Sequence, residues 1–322
     1  MSRRVVEVTT GSRLHFGLMS FGRGGVRQFG GVGAMIEEPA LKLRLASAEE
    51  LTVTGPAADL VRAHVEAVAQ AEWFGRRPTC CIEVHAAPTA HVGLGSGTQL
   101  ALGVVAGLNE LYDRAPLSPT QLAQTVGRGR RSAIGLYGFL QGGLIAEAGK
   151  LTEEEISPLV SRVEIPREWR FLLVRSDDSE GLSGDAERQA FARVPLVSAE
   201  ATARMCRAAM LGLLPAAVQN QHEQFSQSLY EFGQEAGACF APLQGGIYAS
   251  KRAAKIVQTL RDLRITGVGQ SSWGPTVFAV LDSQRAAESV VERLRSSTPF
   301  RDATCVISPP RNEGARIEVW QE

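Results

Sequence analysis

The feature that most constrains this chain is a glycine-rich turn between a short β-like run and a long apolar helix. The run Thr79–His85 has the residue types of a strand, and the turn Gly93-Leu-Gly-Ser-Gly-Thr98 follows it. Apolar residues then recur at helical spacing, at Leu100, Val104, Leu108 and Leu111. Glycine lets the backbone approach a ligand closely, and the free N–H groups and dipole at a helix start favour an anion. The sequence therefore predicts a phosphate-binding loop.

The composition is that of a chain with full apolar cores and balanced charge. Its 322 residues suffice for two domains of ordinary size or one large domain. Lysine plus arginine and aspartate plus glutamate each number 34, so no global field draws the protein to nucleic acid or to a membrane surface. We therefore expect small-molecule substrates, with any anionic group bound by a local basic cluster.

The cysteines and the short apolar segments indicate the cellular context. The cysteines are odd in number and lack the CxxC spacing of zinc sites, so we expect reduced thiols and no disulfide framework. They are Cys80, Cys81, Cys206, Cys239 and Cys305. No apolar stretch reaches the roughly 18 residues of a membrane span, and the N-terminal residues lack the apolar region of a signal peptide. A cytoplasmic protein is predicted.

Strand and helix patterns are mixed along the first half of the chain. Alternation of apolar and polar residues predicts strands at Val5–Thr10 and Leu41–Ala46, and helical periodicity predicts a helix at Ala58–Ala71. Ser118 and Pro119 have the residue types of an N-cap and a first helical position.

The polar and acidic stretch Lys150–Pro166 is interpreted as a domain crossing, which divides the chain into residues 1–165 and 166–322. The second half opens on a strand at Phe171–Val174. Helices are then predicted at Ser198–Leu214, Ala217–Gly233 and Lys251–Arg264. A strand–helix–strand–strand ending is predicted at Val277–Leu281, Ala286–Arg295, Ala303–Ile307 and Arg316–Trp320. Because strands and helices do not alternate strictly, the pattern favours an α+β fold.

A second glycine cluster lies in the C-terminal half, in Gly267-Val-Gly-Gln-Ser-Ser-Trp-Gly-Pro275. Its backbone N–H groups, one amide and two hydroxyls suit the oxygens of a phosphate or a ribose. The alternative is a tight structural loop around a core tryptophan. A purely structural turn is also the alternative for Gly93–Thr98, which matches neither a Walker loop nor a Rossmann fingerprint.

An arginine and a histidine near the N-terminus are candidates for ligand binding. Arg13 and His15 lie in Ser12-Arg-Leu-His-Phe-Gly-Leu-Met19, and Arg23 and Arg27 follow. An arginine fork binds carboxylate or phosphate in a bidentate way, and a histidine transfers protons or donates to an anion. The alternative for His15 is a core histidine with satisfied hydrogen bonds.

Two further charged clusters have a ligand interpretation and a surface interpretation. The segment Gly127-Arg-Gly-Arg-Arg-Ser132 is either an anion pocket or a solvated basic face. The segment Asp177-Asp-Ser-Glu180 either meets a magnesium–diphosphate complex or is a solvated acidic turn. The remaining histidines show no metal-ligand spacing, so no metal site held by the protein alone is predicted.

Taken together, these residues resemble the GHMP kinase superfamily. Its phosphate loop reads Pro-x-x-x-Gly-Leu-Gly-Ser-Ser, and Pro88 through Gly97 follows it with one extra residue and with Gly97 in place of a serine. The glycine loop at 267–274 matches its C-terminal motif. The resemblance covers essentially the whole chain. It implies a two-domain α+β fold, with a ribosomal-protein-S5-like N-terminal domain that contains a left-handed βαβ crossover and a ferredoxin-like C-terminal domain.

One departure from the superfamily pattern bears on function. Its kinases typically carry an aspartate, the catalytic base, seven residues before a Gly-Gly pair. Here the pair is Gly142-Gly143, and the position seven residues earlier is Gly135. Glycine cannot accept a proton, so ordinary phosphoryl transfer to an alcohol is not expected.

Within the superfamily, three segments are similar to the β-ribofuranosylaminobenzene 5′-phosphate synthase family. They are Ser12-Arg-Leu-His-Phe-Gly, Arg131-Ser-Ala-Ile-Gly-Leu-Tyr-Gly-Phe and Gly269-Gln-Ser-Ser-Trp-Gly-Pro-Thr276. The resemblance implies an enzyme of tetrahydromethanopterin biosynthesis that joins 4-aminobenzoate to phosphoribosyl diphosphate (PRPP), releasing carbon dioxide and diphosphate. It also implies a homodimer, and magnesium is expected with the diphosphate. Use of 4-hydroxybenzoate as a second acceptor stays open.

This resemblance assigns expected parts to individual residues. The diphosphate of PRPP is expected at Gly93, Gly95, Ser96, Gly97, Thr98, Gly269, Gln270, Ser271 and Ser272. The substrate carboxylate or the 5′-phosphate is expected at Arg27, Arg128 and Trp273, and catalytic parts at Arg13, His15, Arg131 and Asp178. The alternatives are an ATP-dependent small-molecule kinase of the same fold and a non-catalytic binding protein.

Overall fold

The computed structural model contains two β-sheets with helices packed on them. It describes residues 3–22, 24–151, 156–175, 189, 191, 193–297, 300 and 303–322. The strands of the first sheet are β1 (Arg4–Ser20), β2 (Phe29–Ser47), β3 (Thr52–Thr54), β4 (Cys80–Ala86), β5 (Leu144–Glu147), β6 (Leu159–Val163) and, from the far end of the chain, β11 (Arg316–Gln321). The helices of this half are α1 (Ala58–Gln70), α2 (Ser96–Leu111), α3 (Pro119–Thr125) and α4 (Ile134–Gln141).

The second sheet and its helices follow in the C-terminal half. Its strands are β7 (Arg170–Arg175), β8 (Val268–Gln270), β9 (Val277–Leu281) and β10 (Thr304–Ser308). The helices are α5 (Ala199–Ala208), a π-helical turn (Ala209–Leu213), α6 (Leu214–Val218), α7 (His222–Gln244), α8 (Lys251–Asp262) and α9 (Gln284–Ser296).

The first sheet is organised around the long strands β1 and β2. They pair antiparallel, β11 flanks β1, and β4 and β5 pair with different halves of β2. Strand β3 is parallel to β4, and α1 crosses between them. The resemblance implies a left-handed connection for this βαβ unit. Register shifts between Thr10 and Ser12 and between His15 and Gly17 bend β1, and its second half contacts α7 and β8.

Helix α2 begins at Ser96 and packs across the first sheet, as its apolar periodicity predicts. The side chains at the predicted apolar positions of α2 are buried in one core with those of β2. Gly107 faces the sheet so closely that a Cβ there would lie 2.6 Å from Leu45 Cδ1. This packing fixes the start of α2 relative to the sheet.

The second sheet has the strand order β10-β7-β9-β8, and every neighbouring pair is antiparallel. In chain order this is 4-1-3-2, with helices between the first and second strands and between the third and fourth. The expected ferredoxin-like topology is therefore confirmed. Helices α8 and α9 cover the sheet with the apolar residues Ile256, Leu260, Val290 and Leu294.

A shared core joins the two sheets. Phe16 of β1 stacks on Phe278 of β9, with ring centroids 5.4 Å apart. Trp169 and Phe225 lie in the same cluster, together with the inner faces of α5 and α7. The cavity described below lies beside this core, so both halves of the chain hold its walls rigidly.

Most predicted elements are present, with longer or shifted bounds. Strand β2 starts twelve residues before the predicted Leu41–Ala46, because glycines and small apolar residues continue the strand without clear alternation. The predicted capping of α3 is confirmed, since Ser118 Oγ accepts from the Gln121 backbone N–H and Gln121 Oε1 accepts from the Ser118 N–H. The helix predicted at Ala217–Gly233 instead begins at His222 and runs to Gln244.

The division of the chain at residue 165 follows the sheets except near the C-terminal end. Strand β6 still belongs to the first sheet, and β7 is the first strand of the second sheet. Strand β11 then returns to the first sheet, where Arg4 pairs with Gln321. Among the described residues, no helix is both long and apolar enough to span a membrane.

Candidate active site

A cavity of about 830 Å³ brings the two glycine-rich segments together. Its walls are the glycine turn, the start of α2, the second half of β1, residues 127–136, one face of α7 and residues 268–274. The predicted site residues that line it are Arg13, His15, Gly93, Gly95, Ser96, Gly97, Thr98, Arg128, Arg131, Gly269, Gln270, Ser272 and Trp273. A volume of this size accommodates a small-molecule substrate. Asp178 lies outside the described residues.

The two glycine loops interlock backbone to backbone. Gly93 has a φ of +87°, and a Cβ there would collide with the carbonyl oxygen of Ser271. A Cβ on Gly274 would in turn collide with the backbone of Gly93. Only glycine permits this approach. The start of α2 is therefore tied directly to the C-terminal domain.

Ser271 connects these loops and does not line the cavity. Its side chain is fully buried. Its hydroxyl donates to the Gly93 carbonyl at 2.7 Å and accepts from the His15 N–H at 3.0 Å. The neighbouring Ser272 N–H donates to the His15 carbonyl at 3.1 Å. This corrects the expectation that the Ser271 hydroxyl binds diphosphate, because its hydrogen bonds hold β1 and the glycine turn in place.

One end of the cavity is built for an anion. Gly95 is the N-cap of α2 with φ +69°, and the first N–H groups of a helix have no acceptor within the helix. The Arg13 side chain lies against Gly95, with Nε 3.2 Å from the position of a Cβ, and Arg128 Nη2 lies 3.3 Å from that position on Gly97. Two guanidinium groups thus flank the positive end of the helix dipole. We name this the anion end.

Four arginines line the cavity, namely Arg13, Arg128, Arg130 and Arg131. Among the described lining residues there is no aspartate and no glutamate. Arg131 lies over the ring of Phe191, 4.9 Å from its centroid, and this contact fixes the plane of its guanidinium group. The prediction of an anion pocket around residues 127–132 agrees with this arrangement.

Arg27 lies elsewhere. Its Nη1 donates to the Gly149 carbonyl at 3.0 Å. It lines a separate, smaller pocket together with Met19, Phe29 and Cys206. This corrects the expectation that Arg27 binds a substrate carboxylate or phosphate in the main cavity, because the sequence could not show that the chain turns away after Ser20.

A second part of the cavity lining, which we name the aromatic end, is formed by rings. Trp273 and Phe240 meet edge to face with centroids 4.9 Å apart, and Phe191 lies 6.0 Å from Trp273. Phe240 belongs to α7, and Gly233 and Gly237 of the same helix also line the cavity. A planar apolar ring fits such a wall, since aromatic pairs favour offset or edge contacts at these distances.

His15 also lines the cavity and is nearly buried, with 5% of its surface exposed. Its Nε2 lies 3.1 Å from Ser132 Oγ, which donates to Glu147 Oε1 at 2.6 Å. Burial, followed by the nearby positive charges of Arg13 and Arg131, lowers the pKa of His15 well below its ordinary value, so the ring is neutral at pH 7.

Sequence reasoning missed Glu147 and Ser132. Glu147 is fully buried at the end of β5, and burial raises the pKa of its carboxyl, while hydrogen bonds from Ser132 and Ala133 oppose the rise. The available signal was a single carboxylate within the apolar run Gly143-Leu-Ile-Ala-Glu-Ala148. Such a residue is rarely buried without partners.

Position 135 faces the anion end. Gly135 lines the cavity, and a Cβ there would lie 3.1 Å from Thr98 Cγ2. Its carbonyl accepts from Gln99 Nε2 at 2.8 Å. A carboxylate at this position would stand beside the start of α2, where the resemblance to the kinases implies their base.

Comparison with known proteins agrees with the fold and with the two loops. The family model described as "GHMP kinases N terminal domain" matches residues 59–143, and the model described as "GHMP kinases C terminal" matches residues 213–299. The first of these ranges contains the glycine turn and α2. These matches define the class of protein, an α+β protein built from the N- and C-terminal domains of GHMP kinases.

Curated relatives specify the family within this class. Beta-ribofuranosylphenol 5′-phosphate synthase of Archaeoglobus fulgidus is 31% identical over 98% of this chain and 100% of that protein. The protein of the same name in Methanothermobacter thermautotrophicus is 27% identical, over 96% of this chain and 97% of its own length. The chain therefore belongs to the family of the β-ribofuranosylphenol 5′-phosphate synthases, and it is an enzyme.

Solved structures show the same fold at low sequence identity. Homoserine kinase from Cytophaga hutchinsonii superposes with a TM-score of 0.67 at 14% identity, covering 98% of this chain and 97% of that one. Mevalonate pyrophosphate decarboxylase from Streptococcus pyogenes gives a TM-score of 0.68 at 13% identity, covering 97% and 98%. At these identities the likeness concerns the fold alone.

Proposed function

We propose that this enzyme transfers the phosphoribosyl group of PRPP to the ring carbon of a 4-substituted benzoate, with loss of carbon dioxide and diphosphate. The observation that carries the proposal is the cavity itself. One end offers backbone N–H groups and arginines, the other offers aromatic rings, and the described lining contains no carboxylate. A polyanionic sugar and an aromatic acid need this combination of surfaces.

The anion end is suited to the leaving group. As the bond between ribose C1 and diphosphate breaks, negative charge grows on the diphosphate, where the start of α2, Arg13 and Arg128 stabilise it. Magnesium belongs to the substrate in this proposal, as its complex with the PRPP diphosphate. Ser96 and Thr98 are the hydroxyl-bearing residues beside the start of α2, and the ion supplies charge neutralisation.

The aromatic end and Arg131 are suited to the acceptor. The ring of the acid lies against Trp273 and Phe240, and Arg131, held over Phe191, binds its carboxylate. The ring carbon that bears the carboxylate attacks ribose C1, and cleavage of the carbon–carboxylate bond returns the electron pair to the ring. No nucleophilic side chain is required, so catalysis rests on orientation of the two substrates.

The names of the relatives bear on which aromatic acid receives the phosphoribosyl group. The resemblance favoured 4-aminobenzoate, whereas the relatives are named for a ribofuranosylphenol. A phenol product corresponds to 4-hydroxybenzoate as the acid. We therefore propose 4-hydroxybenzoate as the first acceptor to test and 4-aminobenzoate as the second.

The deciding experiment measures carbon dioxide and diphosphate from the same reaction. The protein is incubated with PRPP, magnesium and each carboxyl-labelled acid, and equal amounts of the two products are expected. A parallel reaction with ATP and homoserine or mevalonate tests the kinase alternative through ADP release. Absence of labelled carbon dioxide with both acids would exclude the proposed reaction.

A further inference from the structure

A buried carboxylate stands behind the cavity wall and has no part in the reaction proposed above. Glu147 has no exposed surface. Its Oε1 accepts from Ser132 Oγ at 2.6 Å, and its Oε2 accepts from the Ala133 N–H at 2.7 Å. The first distance lies in the range of a hydroxyl bound to an ionised carboxylate. A buried charge is costly unless it is paired with donors. Here two donors come from the segment between α3 and α4, and the Ser157 hydroxyl is a third hydrogen-bond partner.

The hydrogen atoms of this cluster can be counted. A serine hydroxyl carries one hydrogen and can accept two bonds. Ser132 gives its hydrogen to Glu147, so its lone pairs accept from the Ile134 N–H at 3.3 Å and from His15 Nε2 at 3.1 Å. The proton of the neutral imidazole therefore resides on Nε2. Nδ1 keeps a lone pair, and His15 lines the cavity, so we assign Nδ1 as the nitrogen that meets a ligand there.

We propose that Glu147 is a positioning residue that acts through Ser132 to hold His15 in the neutral tautomer whose Nδ1 accepts a hydrogen bond from the substrate. The part concerning substrate rests on the proposed function. The phosphate and carboxylate groups of the substrates accept hydrogen bonds, and the arginines of the cavity donate to them. The hydrogen-bond donors on the two substrates are the ribose hydroxyls and the 4-substituent of the acid. Nδ1 of His15, a neutral acceptor among four arginines, therefore binds one of these groups.

A glutamine could not replace Glu147 without changing these hydrogen bonds. Both the Ser132 hydroxyl and the Ala133 N–H need an acceptor, and a carboxylate supplies two. A glutamine has one acceptor atom. In Glu147→Gln, an amide oxygen on Ala133 would turn the amide N–H to Ser132, and the serine hydrogen would then point to His15 Nε2. The imidazole proton would move to Nδ1, and the acceptor facing the cavity would be lost.

The first test observes the tautomer in the resting enzyme. Imidazole ¹⁵N shifts distinguish a protonated from an unprotonated nitrogen, and His15→Gln assigns the signals among the five histidines. We expect Nε2–H in the wild type, a reversed or mixed tautomer in Glu147→Gln and Ser132→Ala, and the wild-type pattern in Ser132→Thr. The control is Ser308→Ala, a buried serine with comparable hydrogen bonds outside the cavity. A protonated Nδ1 in the wild type overturns the proposal.

The second test follows the substrate. Addition of 4-hydroxybenzoate should shift the Nδ1 signal where benzoate does not if the 4-substituent is the donor, and PRPP alone should shift it if a ribose hydroxyl is the donor. No shift with either overturns the ligand part.

In turnover, Ser132→Ala and Glu147→Gln should lower kcat/KM at least about tenfold, as expected when a hydrogen bond to the bound substrate is lost. Ser132→Thr should restore kcat/KM, and full activity in both variants would contradict the proposal. The ¹⁵N spectrum of the resting enzyme does not depend on turnover. It therefore tests the tautomer of His15 even if labelled carbon dioxide is never released.

Discussion

The anion end and the aromatic end of the cavity are built by different parts of the polypeptide. At the anion end the binding surface is backbone, because the N–H groups of α2 are aimed by two loops in which a single Cβ would collide. At the aromatic end the surface includes the side chains of Trp273 and Phe240, and a Cβ on Gly233 would meet open space. The first end is therefore intolerant of added atoms at Gly93 and Gly274, whereas the ring contacts of the second end can change without a change in the chain path.

Gly93→Ala tests this intolerance where the expected effect is largest. The substitution forces a side chain into φ +87° and into the Ser271 carbonyl, which should cost about 2–4 kcal/mol of unfolding free energy and abolish detectable carbon dioxide release. Gly75→Ala is the control, because Gly75 has φ +73° with a Cβ position free of close contacts. Wild-type turnover in Gly93→Ala would show that the loops are not interlocked in solution.

Arg131→Ala probes the junction of the two ends. Loss of the guanidinium held over Phe191 removes the proposed carboxylate contact, so kcat/KM for the aromatic acid should fall about a hundredfold, which corresponds to about 2.7 kcal/mol. Arg131→Lys should recover little, since lysine lacks the planar fork. Arg27→Ala, outside the cavity, should stay within a few fold of wild type. Equal losses in both alanine variants would contradict the placement of Arg27.

The pH dependence of the unfolding free energy tests the environment of a buried histidine behind the anion end. Burial and the nearby Arg128 lower the pKa of His64 to about 4. Because the unfolded chain then binds the proton more tightly than the native state, this histidine makes stability fall as pH decreases below about 6.5. The loss between pH 7 and pH 5 should be about 2 kcal/mol.

Urea unfolding at the two pH values measures this loss, and His64→Gln should remove that share of it. His85→Gln, at an exposed histidine, controls for the substitution itself. A pH dependence that is identical in wild type and His64→Gln would contradict the assignment.

Trp273→Ala examines the tolerance of the aromatic end. Loss of the ring that meets Phe240 should raise KM for the aromatic acid about tenfold while KM for PRPP stays within twofold, since a ring contact contributes on the order of 1 kcal/mol. Trp273→Phe should recover most of the loss. A matching rise in KM for PRPP would place the sugar, not the acid, against these rings.

Gly97→Ser should have the smallest effect. It restores the serine of the superfamily loop at a position inside α2 where the nearest neighbour of a Cβ is the mobile end of Arg128, 3.3 Å away. Serine also favours a helix over glycine by a few tenths of a kcal/mol, so stability should rise slightly or stay unchanged. A large loss of activity would mean that the anion end reaches further along α2 than the lining indicates.

The sequence predicted the features that depend on local pattern. The spacing from Leu100 to Leu111 predicted α2, and the glycine-rich segments 93–98 and 267–274 line one cavity. The ligand site and the missing base at Gly135 stay predictions. The resemblance supplied the ferredoxin-like order of the second sheet. The homodimer and the magnesium stay predictions.

The features that escaped prediction depend on contacts far apart in the chain. Ser132 and Glu147 are hydrogen-bonded although they are far apart in the sequence, and neither the basic segment that ends at Ser132 nor the apolar run around Glu147 predicts that contact. Ser271 and Ser272 are the same residue type, yet Ser271 is buried between the two loops and Ser272 lines the cavity. Such a difference follows from which way each side chain points, and that is set by tertiary packing.

The return of β11 to the first sheet has a consequence for the order of folding during synthesis. Strand β1 precedes β11 in the chain, so one of its edges is covered only when residues 316–321 have been made. Until then the first sheet presents an unpaired strand edge, a surface prone to wrong pairing. The pairing of β11 with Arg4–Thr9 closes that edge.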